Sequence, residues 1–254
     1  VKWSANVRTK KNLGDAINPY LFNEVFNKKA IHTREVLNIG FPKVYSLIGS
    51  ILDDSITKNL VVMGSGFRKM DSIMKVRPSE VVACRGPLTR KKLQQMGLEV
   101  PEVYGDPAIL LPNFFDVQVL KTNKIGVIPH IVDQELPVVK KLNNRADFKY
   151  IDICADFEDF IKDIKSCKFT ISSSLHGIIL SHAYNIPSIW VEFSDEVIGD
   201  GFKFDDYYLS LGLQVERLKL DNNNIDDIFE IIPTLPNLKP MSEKLLTIFR
   251  KYQF

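Results

Sequence analysis

The sequence has little cysteine and no long apolar run. Its three cysteines, Cys84, Cys154 and Cys167, are odd in number and lack C-x-x-C spacing, so we expect reduced, buried thiols rather than a disulfide or metal role. No apolar stretch approaches the ~20 residues that span a bilayer. The N-terminus also lacks the basic, apolar and small-residue order of a secretion signal. These absences predict a cytoplasmic protein without a transmembrane segment.

A large net charge is also missing. Lys and Arg number 33 and Asp and Glu 31 among 254 residues, a formal charge of +2. That balance excludes a protein that coats nucleic acid through bulk electrostatics, so we expect no nucleic-acid partner and only a local anion site. Charged residues at 25% and hydrophobic residues at 45% are typical of a globular chain with a substantial core.

Several catalytic motifs are absent. The chain has no G-x-x-x-x-G-K-[ST] loop of a phosphate-loop NTPase and no G-x-S-x-G elbow of a serine hydrolase. No His/Cys/Asp cluster has zinc-like spacing, so we expect no metal. Gly64-Ser65-Gly66 follows an apolar run, but Lys69 stands where a dinucleotide fingerprint needs its third glycine. For this segment a tight turn and an anion-binding loop both stay open.

Short apolar runs alternate with helical patterns along most of the chain. Continuous apolar runs bounded by turn signals are typical of parallel strands buried on both faces. Apolar residues three and four apart predict crossover helices between them. The predicted strands cover residues 44–48, 60–63, 81–84, 124–128, 149–153, 169–172 and 188–191, and the predicted helices cover 87–96, 136–142, 157–164 and 175–184. The sequence therefore predicts an α/β fold.

The alternation stops between residues 111 and 123 and then resumes. We expect a domain boundary there, with one α/β domain over 1–115, a second over 122–235 and a C-terminal helix within 236–254. Pro236 and Pro240 are predicted to break the chain before that helix, which Ser242 caps. The cleft between the two domains, at the ends of their strands, is the expected site.

The segment Ser172-Ser173-Ser174-Leu175-His176-Gly177 follows one predicted strand and begins a predicted helix. Three hydroxyls at such a turn can cap the first amides of the helix, and these amides favour an anion. A helix N-terminus disfavours imidazolium, so a neutral His176 can accept a proton or hold one once an anion binds. Gly177 permits close approach of a ligand or of backbone. The alternative is a capped helix whose histidine packs against the next strand.

A second candidate segment is Arg85-Gly86-Pro87-Leu88-Thr89, which also follows a predicted strand. Pro87 suits the first position of a helix, so Arg85 is expected at the carboxyl end of the strand. There a guanidinium group can bind a carboxylate or a phosphate through two parallel hydrogen bonds. A structural salt bridge to Asp106 or Glu80 is the alternative.

Four more residues are candidates for the cleft. Asn12 and Asp15 precede a predicted helix and either contact the substrate or cap that helix. Asp106 either orients Arg85 or contacts the ligand. His130 ends a predicted strand of the second domain, which places it in the cleft.

Two further features have mainly structural interpretations. His182 lies well around the helix from His176, which favours a core or solvent position. Residues 202–208 mix charged and aromatic side chains and are predicted to begin a half-buried helix, with an acceptor groove as the alternative.

The ordered set of segments resembles the polysaccharide pyruvyl transferase family over about residues 1–210. The matching segments are N-L-G-D at 12–15, G-S-G at 64–66, R-G-P-L-T at 85–89, G-D-P-A at 105–108, I-P-H at 128–130, S-S-S-L-H-G at 172–177 and A-Y-N-I-P at 183–187. The family commonly has S-S-R-L-H-G, whereas this chain has Ser174 in place of the arginine. One contact to the donor is therefore missing or comes from elsewhere in the chain.

The resemblance implies two Rossmann-like domains facing across a cleft, as in GT-B glycosyltransferases, with a final helix returning to the first domain. It also implies transfer of pyruvate from phosphoenolpyruvate to sugar hydroxyls of a polysaccharide or its precursor, giving a ketal. Phosphoenolpyruvate would be the donor substrate, and no cofactor is expected. By position, Arg85 and His176 match the donor-binding arginine and the catalytic histidine. The reaction needs one proton delivered and another removed, and we expect His176 to make one of these transfers with His130 or Asp106 assisting.

Two alternative functions remain open from the sequence. A GT-B glycosyltransferase would place a nucleotide sugar at the same helix N-termini, with Glu192 as the candidate for the ribose hydroxyls. A sugar-binding or anion-binding relative without catalysis is the other, suggested by Ser174. The acceptor sugar is not identified by the sequence. A lipid-linked acceptor, with peripheral contact at the inner face of the cell membrane, is one alternative for it.

Overall fold

The computed structural model describes residues 1, 13–32, 43–54 and 57–253. Within these residues the chain forms two parallel β-sheets, and helices connect the successive strands of the second sheet. This confirms the predicted α/β class with parallel sheets.

The first sheet has three strands in the order β1-β2-β3, all parallel. They are β1 (Val44–Ser46), β2 (Leu60–Met63) and β3 (Glu80–Ala83). Every residue of the central strand β2 is buried. Its unbroken run of Leu, Val and Met therefore has the two covered faces that such runs predict.

The second sheet has five parallel strands in the order β5-β4-β6-β7-β8. They are β4 (Ile125–Ile128), β5 (Phe148–Tyr150), β6 (Phe169–Ser172), β7 (Ser188–Glu192) and β8 (Leu218–Lys219). β5 ends three residues before its predicted end. β8 has only two residues and carries no sequence signal of its own.

The described part of the chain contains seven α-helices, and several begin with proline in the first turn. Proline suits that position because the first amides of a helix have no partner within it. The helices are α1 (Leu13–Phe26), α2 (Pro87–Gln95), α3 (Pro137–Asn143), α4 (Phe157–Ser166), α5 (Leu175–Ala183), α6 (Phe202–Ser210) and α7 (Lys239–Lys251), with 3₁₀ helices at Pro107–Asn113 and Ile225–Glu230. None of the described helices is long and apolar enough to cross a membrane.

The start of α7 differs from the prediction. The helix begins at Lys239, before Ser242, and Pro240 lies inside its first turn instead of breaking the chain. Leu245 and Phe249 of this helix are buried. The hydroxyl of Tyr252, just after the helix, donates to Glu80 on β3, so the end of the chain packs beside the first sheet.

Helix α1 contacts the surroundings of both sheets. The ring of Phe22 packs against Tyr45 of β1, and the side chain of Asn18 accepts a hydrogen bond from the Ile48 amide. At the other side of the helix, the Leu13 amide donates to the Ile153 carbonyl at 3.1 Å, beyond β5. The first turn of α1 therefore lies next to the second sheet, where it reaches α5.

The cysteines form no disulfide. Cys84 and Cys167 are buried as predicted, whereas Cys154 is only half-buried. Burial in apolar surroundings raises the pKa of the Cys167 thiol, which keeps it protonated at neutral pH.

Candidate functional site

The predicted site residues follow strands whose carboxyl ends point the same way within each sheet. In the first sheet, Gly64 follows β2 and Arg85 lies two residues beyond β3. In the second sheet, His130 lies two residues beyond β4, and the serine segment begins at the last residue of β6. Ligands of open α/β sheets bind at such strand ends.

His176 lies in the first turn of α5, and its ring packs against the backbone of Gly14 in α1. A Cβ added at Gly14 would stand 2.3 Å from the His176 ring, so any other residue at this position would displace the ring. The side chain of His176 keeps 14% of its surface exposed. The histidine is therefore held between two helices and still faces the solvent along one edge.

Asp106 faces His176 from the first half of the chain. Its Oδ1 accepts a hydrogen bond from the Ala108 amide at 3.0 Å and so caps the 3₁₀ helix that follows. Its Oδ2 lies 3.8 Å from His176 Nε2, and neither atom has a hydrogen-bond partner among the described residues. Buried polar atoms are rarely left without a hydrogen-bond partner, so these two atoms can bind a proton or a polar group of a ligand.

His130 lies near His176 and is neutral at physiological pH. Burial, with the positive charges of Lys203 and His176, lowers the pKa of His130 to about 4. Its Nδ1 accepts from the Val132 amide at 3.4 Å. Its own amide donates to Ser173 Oγ at 2.8 Å, which ties the end of β4 to the serine segment. A neutral imidazole of this kind can accept a proton.

The serine hydroxyls of the segment bind protein groups instead of capping α5 as predicted. Ser172 Oγ donates to the Ile128 carbonyl and accepts from the Ser174 amide. Ser173 Oγ donates to the buried carboxylate of Asp133 at 2.6 Å. Ser174 is the N-cap residue of α5 without a capping hydrogen bond from its side chain.

Three amides at the start of α5 consequently have no acceptor among the described residues; they belong to Leu175, His176 and Gly177. These amides, together with the helix dipole, favour an anion. The side chain of Leu175 is buried in the core and does not itself offer a polar contact. A Cβ at Gly177 would stand 2.4 Å from Ser172 Oγ, so this glycine permits a close approach of protein side chains.

Arg85 is fully buried, and its guanidinium group binds protein atoms. Nε donates to Asp206 Oδ2 at 3.0 Å, Nη1 to Ser50 Oγ at 2.5 Å and Nη2 to the Phe67 carbonyl at 2.6 Å. A Cβ at Gly66 would stand 2.5 Å from Arg85 Cζ, so this glycine makes room for the guanidinium group. A guanidinium has five N–H donors, so two remain beyond these three bonds.

The ion-pair partner of Arg85 is therefore Asp206 of α6, and neither Asp106 nor Glu80. The same carboxylate accepts from the amide and the hydroxyl of Thr89, at 2.9 and 2.6 Å. Glu80 instead accepts from Tyr252. No local sequence pattern connects positions 85 and 206, which explains why the partner is missed.

The remaining predicted residues of the first half of the chain have structural surroundings or lie outside the description. Gly64 has a φ of +117° and approaches Pro107 closely. Ser65 is fully buried, and its hydroxyl is hydrogen bonded with that of Ser46. Asn12 lies outside the described residues, and Asp15 lies in α1 with its side chain outside them.

Lys203, in the first turn of α6, is a charged residue that the sequence analysis did not single out. No described residue forms a hydrogen bond or an ion pair with its Nζ, which lies 5.5 Å from the centre of the Phe204 ring. Burial, with the charges of Arg85 and Arg68, lowers the pKa of Lys203 to about 8, although Asp133 opposes the shift. The sequence feature that could have identified Lys203 is the mixture of charged and aromatic residues at 202–208.

Two features bear on the other functions that the sequence left open. Glu192, the candidate for a ribose, is bound by Arg217 at 2.9 Å and by Lys219 at 3.1 Å. In the part of the chain that the structure describes, no group of three or more His, Cys, Asp or Glu residues could hold a metal ion.

Comparisons with known proteins give two kinds of match. The profile of the family "Polysaccharide pyruvyl transferase" matches residues 12–195. An uncharacterized protein of Acanthamoeba polyphaga mimivirus is 31% identical over 268 residues, which cover 96% of this chain and 90% of that protein. The succinoglycan biosynthesis protein ExoV of Rhizobium meliloti is 25% identical over 203 residues, or 80% of this chain and 62% of that protein. No solved structure matches significantly.

Proposed function

Because the chain belongs to the polysaccharide pyruvyl transferase family, we propose that it transfers pyruvate from phosphoenolpyruvate to two hydroxyls of a saccharide. The products are a cyclic ketal and inorganic phosphate. The match to a succinoglycan biosynthesis protein supports a polysaccharide or its precursor as the acceptor. The donor is itself an activated molecule, so the proposed reaction uses it as a substrate and needs no separate cofactor.

The proposed architecture is two Rossmann-like domains, over 1–115 and 122–235, that face each other as in GT-B enzymes. The two parallel sheets support this arrangement, as does the placement of candidate residues after strands of both sheets. The C-terminal helix within 236–254 would belong with the first domain.

Phosphoenolpyruvate is an intracellular metabolite, which favours a cytoplasmic location. A lipid-linked acceptor would bring the protein to the inner face of the membrane.

The observation that carries the proposal is the pair of unpartnered atoms His176 Nε2 and Asp106 Oδ2, 3.8 Å apart. His176 lies in the first turn of α5, where three amides have no acceptor among the described residues, and Asp106 faces it from the start of the 3₁₀ helix Pro107–Asn113. A proton-transfer group beside an anion site is what addition of a hydroxyl to an enol phosphate requires.

The proposed chemistry removes one proton from each of the two acceptor hydroxyls and places one on the methylene carbon of the donor and one on the released phosphate. A proton delivered to the methylene carbon of the donor turns it into a methyl group, while the first acceptor hydroxyl bonds to the neighbouring carbon and loses its own proton. The bond from that carbon to the phosphate oxygen then breaks, and the second hydroxyl closes the ketal as its proton leaves with phosphate. His176 makes one of these transfers, and Asp106 or the neutral His130 assists.

His176→Gln tests this role. Glutamine retains hydrogen-bonding capacity but cannot move a proton, so turnover is expected to fall at least ~100-fold. Phosphate release is measured with phosphoenolpyruvate and a panel of saccharides, and donor affinity is measured by calorimetry. Donor affinity within a few-fold of the wild type shows that the site has stayed intact. A variant with near-normal turnover would rule out His176 as the proton-transfer group.

Calorimetry with a uridine nucleotide in a parallel titration separates the proposed function from a glycosyltransferase. We expect saturable binding of phosphoenolpyruvate and none of the nucleotide, since Glu192 is already paired with two cations. Nucleotide binding without phosphoenolpyruvate binding would reject the proposed donor.

A further inference from the structure

Lys203 is a half-buried ammonium group without a counter-ion among the described residues. Its Nζ has no hydrogen-bond or ion-pair partner there, and it lies 5.5 Å from the centre of the Phe204 ring. A desolvated cation without a partner is costly, because water no longer stabilises its charge. Such a group persists in a folded protein most readily where a ligand supplies the missing charge.

The position of Lys203 is fixed by the residues on either side of it. Phe202 is buried in the apolar cluster of the first sheet. One turn later, Asp206 binds Arg85 and Thr89 through three hydrogen bonds. The N-terminus of α6 is thus anchored to the first half of the chain, although the helix follows β7 of the second sheet. The ammonium group needs little further ordering to bind an anion.

The surroundings of Lys203 connect it to the proposed catalytic group. The charges of Lys203 and His176 both lower the pKa of His130, so the three side chains lie close to one another. Arg85 and Arg68 also lie within electrostatic reach, and each of them already has a carboxylate partner. Asp133 is the acidic group on this side, and Ser173 and Ser194 both donate to it. Asp133 offsets part of the charge of Lys203 without forming an ion pair with it, so Lys203 is the cation here that has no direct carboxylate partner among the described residues.

Position 174 adds an independent reason to look for a cation. The N-cap residue of α5 is Ser174, a neutral side chain with only 2% of its surface exposed. Arg85 is fully buried with three protein partners, so it is poorly placed to bind a ligand alone. A donor with a phosphate and a carboxylate needs more positive charge than three amides supply.

We propose that Lys203 binds the phosphate group of the donor and supplies the positive charge that the side chain at position 174 lacks. Lysine binds phosphate as a point charge, whereas the planar guanidinium group suits a carboxylate. The phosphate would lie between Lys203 and the first amides of α5. This assignment rests on the proposed function, since it concerns the same donor.

The test compares wild type with Lys203→Met, which keeps the length of the side chain and removes its charge. Calorimetric titrations use three probes: phosphoenolpyruvate, inorganic phosphate and pyruvate. Loss of one charge-assisted contact is expected to weaken binding of phosphoenolpyruvate and of phosphate roughly 10- to 100-fold and to leave pyruvate affinity unchanged. Lys149→Met is the matched control, since Lys149, on the edge strand β5, is also half-buried but pairs with Asp163 of α4.

The outcomes separate the two hypotheses. If the wild type does not bind phosphoenolpyruvate, the proposed function itself fails. If the wild type binds it and Lys203→Met binds it equally well, the role of Lys203 is rejected and the proposed function stands. Weaker binding of pyruvate but not of phosphate would also overturn the assignment. Lys203→Gln gives the same comparison if the methionine variant does not fold.

Discussion

The buried ion pair between Arg85 and Asp206 predicts a large loss of stability when one partner loses its charge. Neither side chain has any solvent exposure, and the carboxylate also accepts two hydrogen bonds from Thr89. Asp206→Asn preserves the shape of the side chain but leaves the Arg85 guanidinium group buried without a counter-charge. Breaking one partner of such a pair costs about 3–5 kcal/mol, so we expect the free energy of unfolding to fall by that amount.

Urea denaturation of four proteins measures this effect: wild type, Arg85→Met, Asp206→Asn and the double variant. The fluorescence of Trp190 is a suitable signal, because its ring stacks on Phe204 of α6 at a centroid distance of 4.6 Å. With both charges gone, no buried ion is left unpaired. We therefore expect the double variant to be more stable than Asp206→Asn alone by at least about 1 kcal/mol.

Asp226→Asn is a matched control for these measurements. Asp226 also pairs with an arginine, Arg145, but its side chain is 80% exposed. Exposed pairs contribute about 0–1 kcal/mol because water screens them. The reasoning would be refuted if Asp206→Asn cost as little as the control, or if the two substitutions at the buried pair were strictly additive.

Two further predictions follow from the histidines and their surroundings. Burial lowers the pKa of His182 to about 4, so unfolding at acid pH takes up a proton there. Stability should be full above pH 6.5 and decline toward pH 4, by about 2 kcal/mol at pH 5 from this residue, while His130 acts in the same direction. Equal free energies of unfolding at pH 7 and pH 5 would contradict this. Gly14→Ala would place a Cβ 2.3 Å from the His176 ring and displace it, so phosphate release should fall up to ~100-fold with little loss of stability; an unchanged rate would show that the ring position does not matter.

The sequence was sufficient for the fold class and for the finding that the candidate residues follow the carboxyl ends of parallel strands. Continuous apolar runs identified β2, β4 and β6 because strands of a parallel sheet are buried on both faces. The sequence did not predict β8, because a strand of two residues is too short to show a hydrophobic pattern. The helix start at Lys239 was missed because a proline in the first turn resembles a chain break as closely as it resembles a helix start.

The pairing of side chains was beyond sequence reasoning. Arg85 was recognised from its strand end, but its partner Asp206 stands 121 positions later on a helix of the second half. Lys203 lies three residues before Asp206, so its position follows from the same contact. Periodicity is a local signal, and it contains no information on which distant helices meet.

The contact between Gly14 and His176 also constrains how the molecule folds. During synthesis, α1 leaves the ribosome long before α5 exists, so its first turn lacks the ring that later packs on Gly14. The hydrogen bond from the Leu13 amide to the Ile153 carbonyl has the same requirement. Contacts between such distant positions close large loops and form slowly. The β2 and β3 strands can pair once residues 60–83 have been synthesised. The candidate site can form only after residue 176 has been added, when more than half of the chain has been synthesised.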